Sequence, residues 1–107
     1  IAAGADVNKA DNDGWTPISR ASQEGHLKVV QALIAAGADV NKANNDGWTP
    51  ISWASLKGHL EVVQALIAAG ADVNEVNGYG MTPIYEASSQ GHLEVVQALT
   101  AAGATQD

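Results

Sequence analysis

The chain lacks several residue types on which common functional classes depend. None of its 107 residues is cysteine, which excludes a disulfide framework and thiolate metal ligands. Phenylalanine is also absent, and the hydrophobic residues, 46% of the chain, are mainly Ala, Val, Leu and Ile. Small apolar residues of this kind suit closely packed helices. The absence of cysteine is compatible with a reducing compartment, and we expect an intracellular, cytoplasmic protein.

Positive charge is scarce, because five Lys and Arg face twelve Asp and Glu and the formal net charge is −7. Nucleic-acid affinity comes chiefly from cations that neutralise phosphates, so this balance argues against a nucleic-acid partner. An anionic membrane surface is disfavoured for the same reason. The apolar runs are too short to span a bilayer, and the N-terminus has no basic region of the kind that opens a signal peptide. Basic and neutral proteins remain as partners.

What the chain does contain is a repeat with a period of 33 residues. Segments of the form Gly-x-Thr-Pro-Ile begin at Gly14, Gly47 and Gly80, and the dipeptide Gly-His recurs at the same interval. The period accounts for the whole chain and leaves no room for a linker. We therefore predict one domain over residues 1–107, with units at about 11–43, 44–76 and 77–107 and a remnant of a preceding repeat at 1–10.

Each unit carries the signals of two short helices. Thr16 is a good N-cap, Pro17 suits the first helical position, and Gly25 provides a left-handed stop about two turns later. Apolar residues then recur at helical spacing from about Leu27 to Ala36. The Asp-Gly pair before the next Thr-Pro favours a tight turn. Neither helix can hide its apolar stripe without a neighbouring unit.

The motifs Thr-Pro-Ile-Ser-x-Ala, Gly-His-Leu-x-Val-Val-x-x-Leu and Gly-Ala-Asp-Val-Asn resemble the ankyrin repeat at this period. The resemblance covers the whole chain and implies a mainly α solenoid of stacked helix-turn-helix repeats joined by short β-hairpin-like loops. One departure is that Ser19, Ser52 and Tyr85 replace the histidine of the family's Thr-Pro-Leu-His. The near-identity of the copies fits both a natural fragment of a longer array and a designed, consensus-like array.

The sequence offers no convincing catalytic or metal site. The three histidines occupy equivalent positions, about 8–10 Å apart in stacked helices, which is too far for shared coordination of a metal ion. The acidic turn before Gly14 resembles a calcium loop, but Lys9 and Arg20 stand at its first and last ligand positions. A serine nucleophile needs a base and an acid that orients the base. The serines recur at equivalent positions of the repeats, and no Ser-His-acid set differs from what duplication alone would place. We expect no enzyme activity and no cofactor or metal.

The family resemblance implies that partners bind the hairpin tips and the first helices, which form a concave surface. The copies differ most on the first helix at these positions, a pattern that both a recognition surface and neutral drift on a solvent-exposed face would produce. Trp53, which replaces Arg20 and Glu86, is the strongest single candidate because Trp is enriched in interface hot spots. For Trp15 and Trp48, the sequence supports equally a role in partner binding and a role in packing over the bases of the hairpins. The predicted partner-binding residues are Asp13, Trp15, Arg20, Gln23, Glu24, Asp46, Trp48, Trp53, Leu56, Lys57, Tyr79, Met81, Tyr85, Glu86, Ser89 and Gln90.

Two functions follow from these patterns. The first is a protein-protein interaction module or scaffold that binds a protein partner on the concave face. The second is a structural spacer, or an idealised repeat scaffold with no dedicated partner, whose units stack end to end. We accordingly expect either a monomer or weak end-to-end self-association.

Overall fold

The computed structural model describes residues 6–104, and in this range the chain forms six α-helices and no strand. The helices follow one another in three pairs. They span Pro17–Glu24 (α1), Leu27–Ala35 (α2), Pro50–Lys57 (α3), Leu60–Ala68 (α4), Pro83–Ser89 (α5) and Leu93–Ala101 (α6). The predicted mainly α fold is confirmed. The second helix of the first repeat ends at Ala35, one residue before the predicted limit.

Local capping sets the limits of the first helix in each pair. The Thr16 side chain accepts a hydrogen bond from the Ser19 backbone N–H at 3.3 Å, and Pro17 occupies the first helical turn. Gly25 ends the helix with a φ of 75°, a left-handed conformation that glycine adopts without a steric penalty. Thr49 and Thr82 cap α3 and α5 in the same way. The Thr-Pro signals and the glycines after α1 and α3 therefore act as predicted, whereas α5 ends at Ser89 with Gln90 at its C-cap.

The turns between repeats are tight and hydrogen-bonded to one another. The Asn44 backbone N–H donates to the Trp48 carbonyl at 2.9 Å, and this bond closes the turn before α3. The Asn45 N–H donates to the Asp13 carbonyl of the preceding turn at 2.9 Å. A hairpin-like turn is thus present in each repeat, and it is joined by backbone bonds to the turn of its neighbour.

The histidines join one repeat to the next. Nε2 of His59 lies 3.0 Å from the Gln23 carbonyl oxygen, and Nε2 of His92 lies 3.1 Å from the Leu56 carbonyl oxygen. A carbonyl only accepts, so Nε2 carries the proton in both residues. The sequence predicts a bond to nearby backbone, but the carbonyl lies 36 residues earlier. Stacking, which local sequence does not show, selects this partner.

The core is a continuous column of aliphatic side chains rather than three separate clusters. Its fully buried members recur at equivalent positions and include Ile18, Ile51, Val30, Val63, Leu66 and Leu99. The first helices contact one another more extensively along the stack than the second helices do. This difference is expected if the stack curves toward the first helices.

Gly58 and Gly91 follow α3 and α5 with nearly equal φ angles of 76° and 75°. Their surroundings differ. A Cβ atom at Gly58 would lie 2.6 Å from the His92 ring, whereas one at Gly91 would meet no other atom of residues 6–104 within 4 Å. Gly58 therefore serves two purposes, a left-handed conformation and the close approach of the next repeat.

Gly58→Ala is expected to be more destabilising than Gly91→Ala. Both variants place a side chain in the left-handed region, at a cost of about 1–2 kcal/mol. Only Gly58→Ala also pushes His92 away from the Leu56 carbonyl, and such overpacking costs about 1–3 kcal/mol more. Urea unfolding followed by circular dichroism measures the difference. Equal losses of stability would contradict the role assigned to His92.

Candidate partner-binding surface

Three indole rings stack across the first two repeats. The ring centroids of Trp15 and Trp53 lie 4.7 Å apart with an interplanar angle of 26°. Those of Trp48 and Trp53 lie 4.3 Å apart at 24°. Trp15 and Trp48 stand at the bases of successive turns, and Trp53 reaches both from α3. The aromatic residues of two repeats thus form one stacked unit.

Arg20 extends this stack at the first repeat. Its guanidinium carbon lies 4.1 Å from the centroid of the Trp15 ring, a cation–π arrangement. Its Nη2 also lies 3.2 Å from Asp11 Oδ2. We name the five residues Asp11, Arg20, Trp15, Trp53 and Trp48 the tryptophan series.

Asp11 holds both the backbone of the first turn and the Arg20 side chain in place. Its Oδ1 accepts backbone N–H bonds from Trp15 and Asp13, each at 2.9 Å. The bond from Trp15 is the largest influence that holds the pKa of the Asp11 carboxyl below its usual value, and Arg20 acts in the same direction. The carboxylate is therefore ionised at neutral pH and keeps Arg20 beside Trp15.

In the third repeat, the position equivalent to Arg20 holds Glu86, whose side chain is buried. Burial raises the pKa of Glu86 above its ordinary value, and the Asn77 side chain partly offsets this shift. Among the described residues, neither Asn77 Nδ2 nor the buried Nε1 of Trp53 has an acceptor in hydrogen-bonding geometry. The three equivalent positions therefore carry a cation at Arg20, an indole at Trp53 and, at Glu86, a carboxyl whose raised pKa disfavours ionisation.

The predicted binding residues differ in how much surface they offer. The exposed ones are Asp13, Arg20, Glu24, Asp46, Lys57, Tyr79, Tyr85, Ser89 and Gln90. The half-buried ones are Trp15, Gln23, Trp53, Leu56 and Met81. Trp48 and Glu86 are buried. Trp48 thus packs against Trp53 and offers a partner little surface of its own.

Sequence reasoning did not include Asp11 in the site and did not foresee that Trp53 stacks on Trp15. One signal for Asp11 was present. The aspartate stands only in the repeat that carries Arg20, whereas the other two repeats have Asn44 and Asn77 at that position. The Trp15–Trp53 contact had no comparable signal because it joins two repeats.

Other kinds of site find no support in the described part of the chain. No group of three or more His, Cys, Asp and Glu residues within 6–104 is arranged to hold a metal ion. A groove between the first two repeats is lined by residues such as Leu27, His59 and Gln64. No helix among these residues is long and apolar enough to cross a bilayer.

The family profile described as "Ankyrin repeats (3 copies)" matches residues 1–77 and 42–107. The chain belongs to the ankyrin repeat family. Ankyrin repeats are in general protein-protein interaction modules and form a non-enzymatic family. No curated protein matched the chain. In ankyrin terms, the tryptophan series lies on the turns and first helices of the first two repeats.

Glu86→Gln is expected to raise the melting temperature at neutral pH. Because the pKa of Glu86 is raised in the folded chain, the folded state keeps a proton that the unfolded state has lost. The free energy of unfolding therefore falls as the pH rises from the ordinary glutamate value of 4.5 through the raised one. Glutamine removes this penalty, so the gain should vanish well below pH 4.5.

Thermal unfolding across this pH range measures the effect. The matched control is Glu94→Gln, which removes a carboxylate at an exposed position of the same repeat. The prediction fails if Glu86→Gln gives the same increment at acidic and neutral pH, or if Glu94→Gln stabilises the chain equally.

Proposed function

We propose that the chain is a protein-interaction module that binds its partner on the surface formed by the turn tips and by α1, α3 and α5. We call this the first-helix surface. The observation that carries the proposal is the tryptophan series, which brings a guanidinium and two half-buried indoles together on that surface. Arg and Trp are the residue types that dominate interface hot spots. The proposal assigns no catalytic activity to the chain.

The contacts of Arg20 and Trp53 favour binding because they restrain both side chains before a partner arrives. Arg20 is held between the Asp11 carboxylate and the Trp15 ring. Trp53 stacks on Trp15 and Trp48. Ordering a long side chain at an interface costs about 0.5–1.5 kcal/mol, and a side chain that is already ordered avoids most of that cost.

The pattern of differences among the repeats supports the same surface. The first helices read PISRASQE, PISWASLK and PIYEASS, whereas the second helices read LKVVQALIA, LEVVQALIA and LEVVQALTA. The exposed Gln31, Gln64 and Gln97 on the second helices are identical. Differences concentrated on one layer of a copied scaffold are what recognition of a particular partner would require.

A peptide selection tests the proposal. Random displayed peptides are selected on the immobilised chain, and their affinities are then measured for two double variants. Arg20→Ala with Lys57→Ala removes exposed cations from the first-helix surface, and Gln31→Ala with Gln64→Ala is the control on the second helices. We expect binding to weaken about tenfold or more in the first variant, equivalent to ~1.4 kcal/mol, and to change little in the control.

All four substituted residues are exposed, so neither variant should alter the fold, and circular dichroism checks this. Selected peptides that lose affinity for the second-helix variant while they retain it for the first-helix variant would show that the proposed surface is wrong.

A further inference from the structure

Two equivalent grooves lie at the successive boundaries between repeats. The groove between the first and second repeats has a volume of about 610 Å³. The one between the second and third repeats has a volume of about 310 Å³. Each is lined by a glycine and a leucine of the earlier repeat and by the Gly-His-Leu-Glu-Val segment of the later one. Both walls of each groove therefore belong to described repeats, and the same residue types recur in both.

The grooves lie at the opposite end of the first helices from the turn tips. Each first helix begins directly after a turn, and α1 and α3 end at Gly25 and Gly58. These two glycines line the grooves, whereas no residue of α1, α3 or α5 does. The grooves are therefore separate from the first-helix surface.

Each groove has a histidine in its wall. Nε2 of His59 and of His92 is used in the bonds to the Gln23 and Leu56 carbonyls. Because the proton is on Nε2, the other ring nitrogen, Nδ1, is an acceptor. Within residues 6–104, Nδ1 of neither ring accepts a hydrogen bond, and neither atom is buried. The polar atom that each ring can offer to a groove occupant is therefore an acceptor.

A carboxylate accompanies each histidine. Glu61 lines the first groove and Glu94 lines the second, and both side chains are exposed. Neither forms an ion pair within the described part of the chain. Lys28, the counterpart of Glu61 in the first repeat, does not line either groove, and neither does Lys57. Each groove thus carries negative charge that no lysine or arginine in its own wall offsets.

Leu60 stands between the two grooves, because it lines both of them. Its side chain is half-buried. Leu27 lines the first groove and Leu93 the second, so leucines and acceptors alternate along this edge of the stack. An occupant that reaches both grooves has to cross Leu60, which favours proline or apolar residues between its polar groups.

The distance between the grooves restricts the conformation of an occupant. Equivalent positions on packed helices lie about 8–10 Å apart. A polyproline II segment has three residues per turn and rises about 3.1 Å per residue, so residues i and i+3 point the same way about 9 Å apart. In a β-strand residues i and i+3 point to opposite faces, and in an α-helix they are only about 4.5 Å apart along the axis. Polyproline II therefore suits two side chains that enter successive grooves.

Charge indicates which side chains these are. Lysine and arginine carry hydrogen-bond donors and no acceptor, and their bonds to carboxylates are roughly twice as strong as neutral ones. They match grooves that offer a carboxylate and an imidazole lone pair. A second copy of this chain is a poor occupant, because it carries a net charge of −7 and no two of its five cations are three residues apart.

We propose that the two grooves bind an extended basic segment in which lysine or arginine residues stand three apart, with proline or apolar residues between them. One cation occupies the first groove, beside Glu61 and Nδ1 of His59. The next occupies the second groove, beside Glu94 and Nδ1 of His92. The residues between the two cations pack on Leu60.

Labelled peptides with identical glycine-serine flanks test the spacing on the 107-residue chain. The probe contains Arg-Pro-Pro-Arg. One matched peptide, Arg-Arg-Pro-Pro, keeps the composition, and a second, Glu-Pro-Pro-Glu, reverses the charge. Fluorescence anisotropy should show binding of the probe, binding about tenfold weaker for Arg-Arg-Pro-Pro and none for Glu-Pro-Pro-Glu. Equal affinity of the two arginine peptides, or no binding of the probe, would overturn the proposal.

Two charge variants locate the surface. Glu61→Lys introduces the residue type that the first repeat carries as Lys28, and Glu75→Lys introduces the type carried as Lys9 and Lys42, so the fold accommodates both. Both variants change the net charge equally, and only Glu61 lines a groove. Glu61→Lys should weaken binding of the probe about tenfold or more, and Glu75→Lys should change it little. Equal weakening would show that net charge governs binding and would overturn the proposal.

Two further measurements separate the proposal from its alternatives. The Arg20→Ala, Lys57→Ala variant should bind the probe at least as tightly as the parent chain, even if it fails the test of the first-helix surface. Weaker binding there, with Glu61→Lys unaffected, would assign the probe to the first-helix surface and overturn the proposal. Sedimentation should show a monomer, and a dimer that Glu61→Lys dissociates would overturn the proposal in favour of a second copy.

Discussion

Stacking of one helix pair on the next is the constraint on which the rest of the structure depends. The six helices contain seven to nine residues each, whereas an isolated helix needs about 12–15 residues to be even marginally stable in water. Their apolar faces therefore have to be buried by neighbours. The hydrogen bonds from His59 and His92, the bonds between turn tips and the close approach at Gly58 all occur across repeat boundaries.

Because the scaffold is periodic, a substitution at one position can change the chemistry of the surface and leave the core unaltered. Arg20, Trp53 and Glu86 illustrate this. The first lies beside an indole, the second stacks on two indoles and the third buries a carboxyl. Trp53 contributes to packing as well as to the exposed surface, since its ring joins two repeats. A substitution of Trp53 would therefore change packing between repeats as well as the surface, whereas the contacts of Arg20 with Trp15 and Asp11 lie within one repeat.

Cations and exposed aromatic residues are distributed unevenly among the three repeats. The cations lie in the first two repeats, and the exposed aromatic residues collect in the third. Duplication alone would distribute both evenly. Two of the substitutions that break the symmetry, Tyr79 for aspartate and Tyr85 for serine, place exposed aromatic rings on the third repeat.

The sequence by itself determined the period, the fold class and the residues at which the first helix of each pair begins. Thr16, Pro17 and Gly25 define a helix through bonds and dihedral angles that span only a few residues, so their effect can be predicted from local sequence. The same holds for the Asp-Gly turns.

The tertiary structure alone decided which residues meet across repeats. It paired His59 with the Gln23 carbonyl, stacked Trp53 on Trp15, buried Trp48 and left Tyr85 exposed. These contacts depend on the distance and rotation between successive helix pairs. That geometry results from packing of the whole column, and no short segment of the chain encodes it.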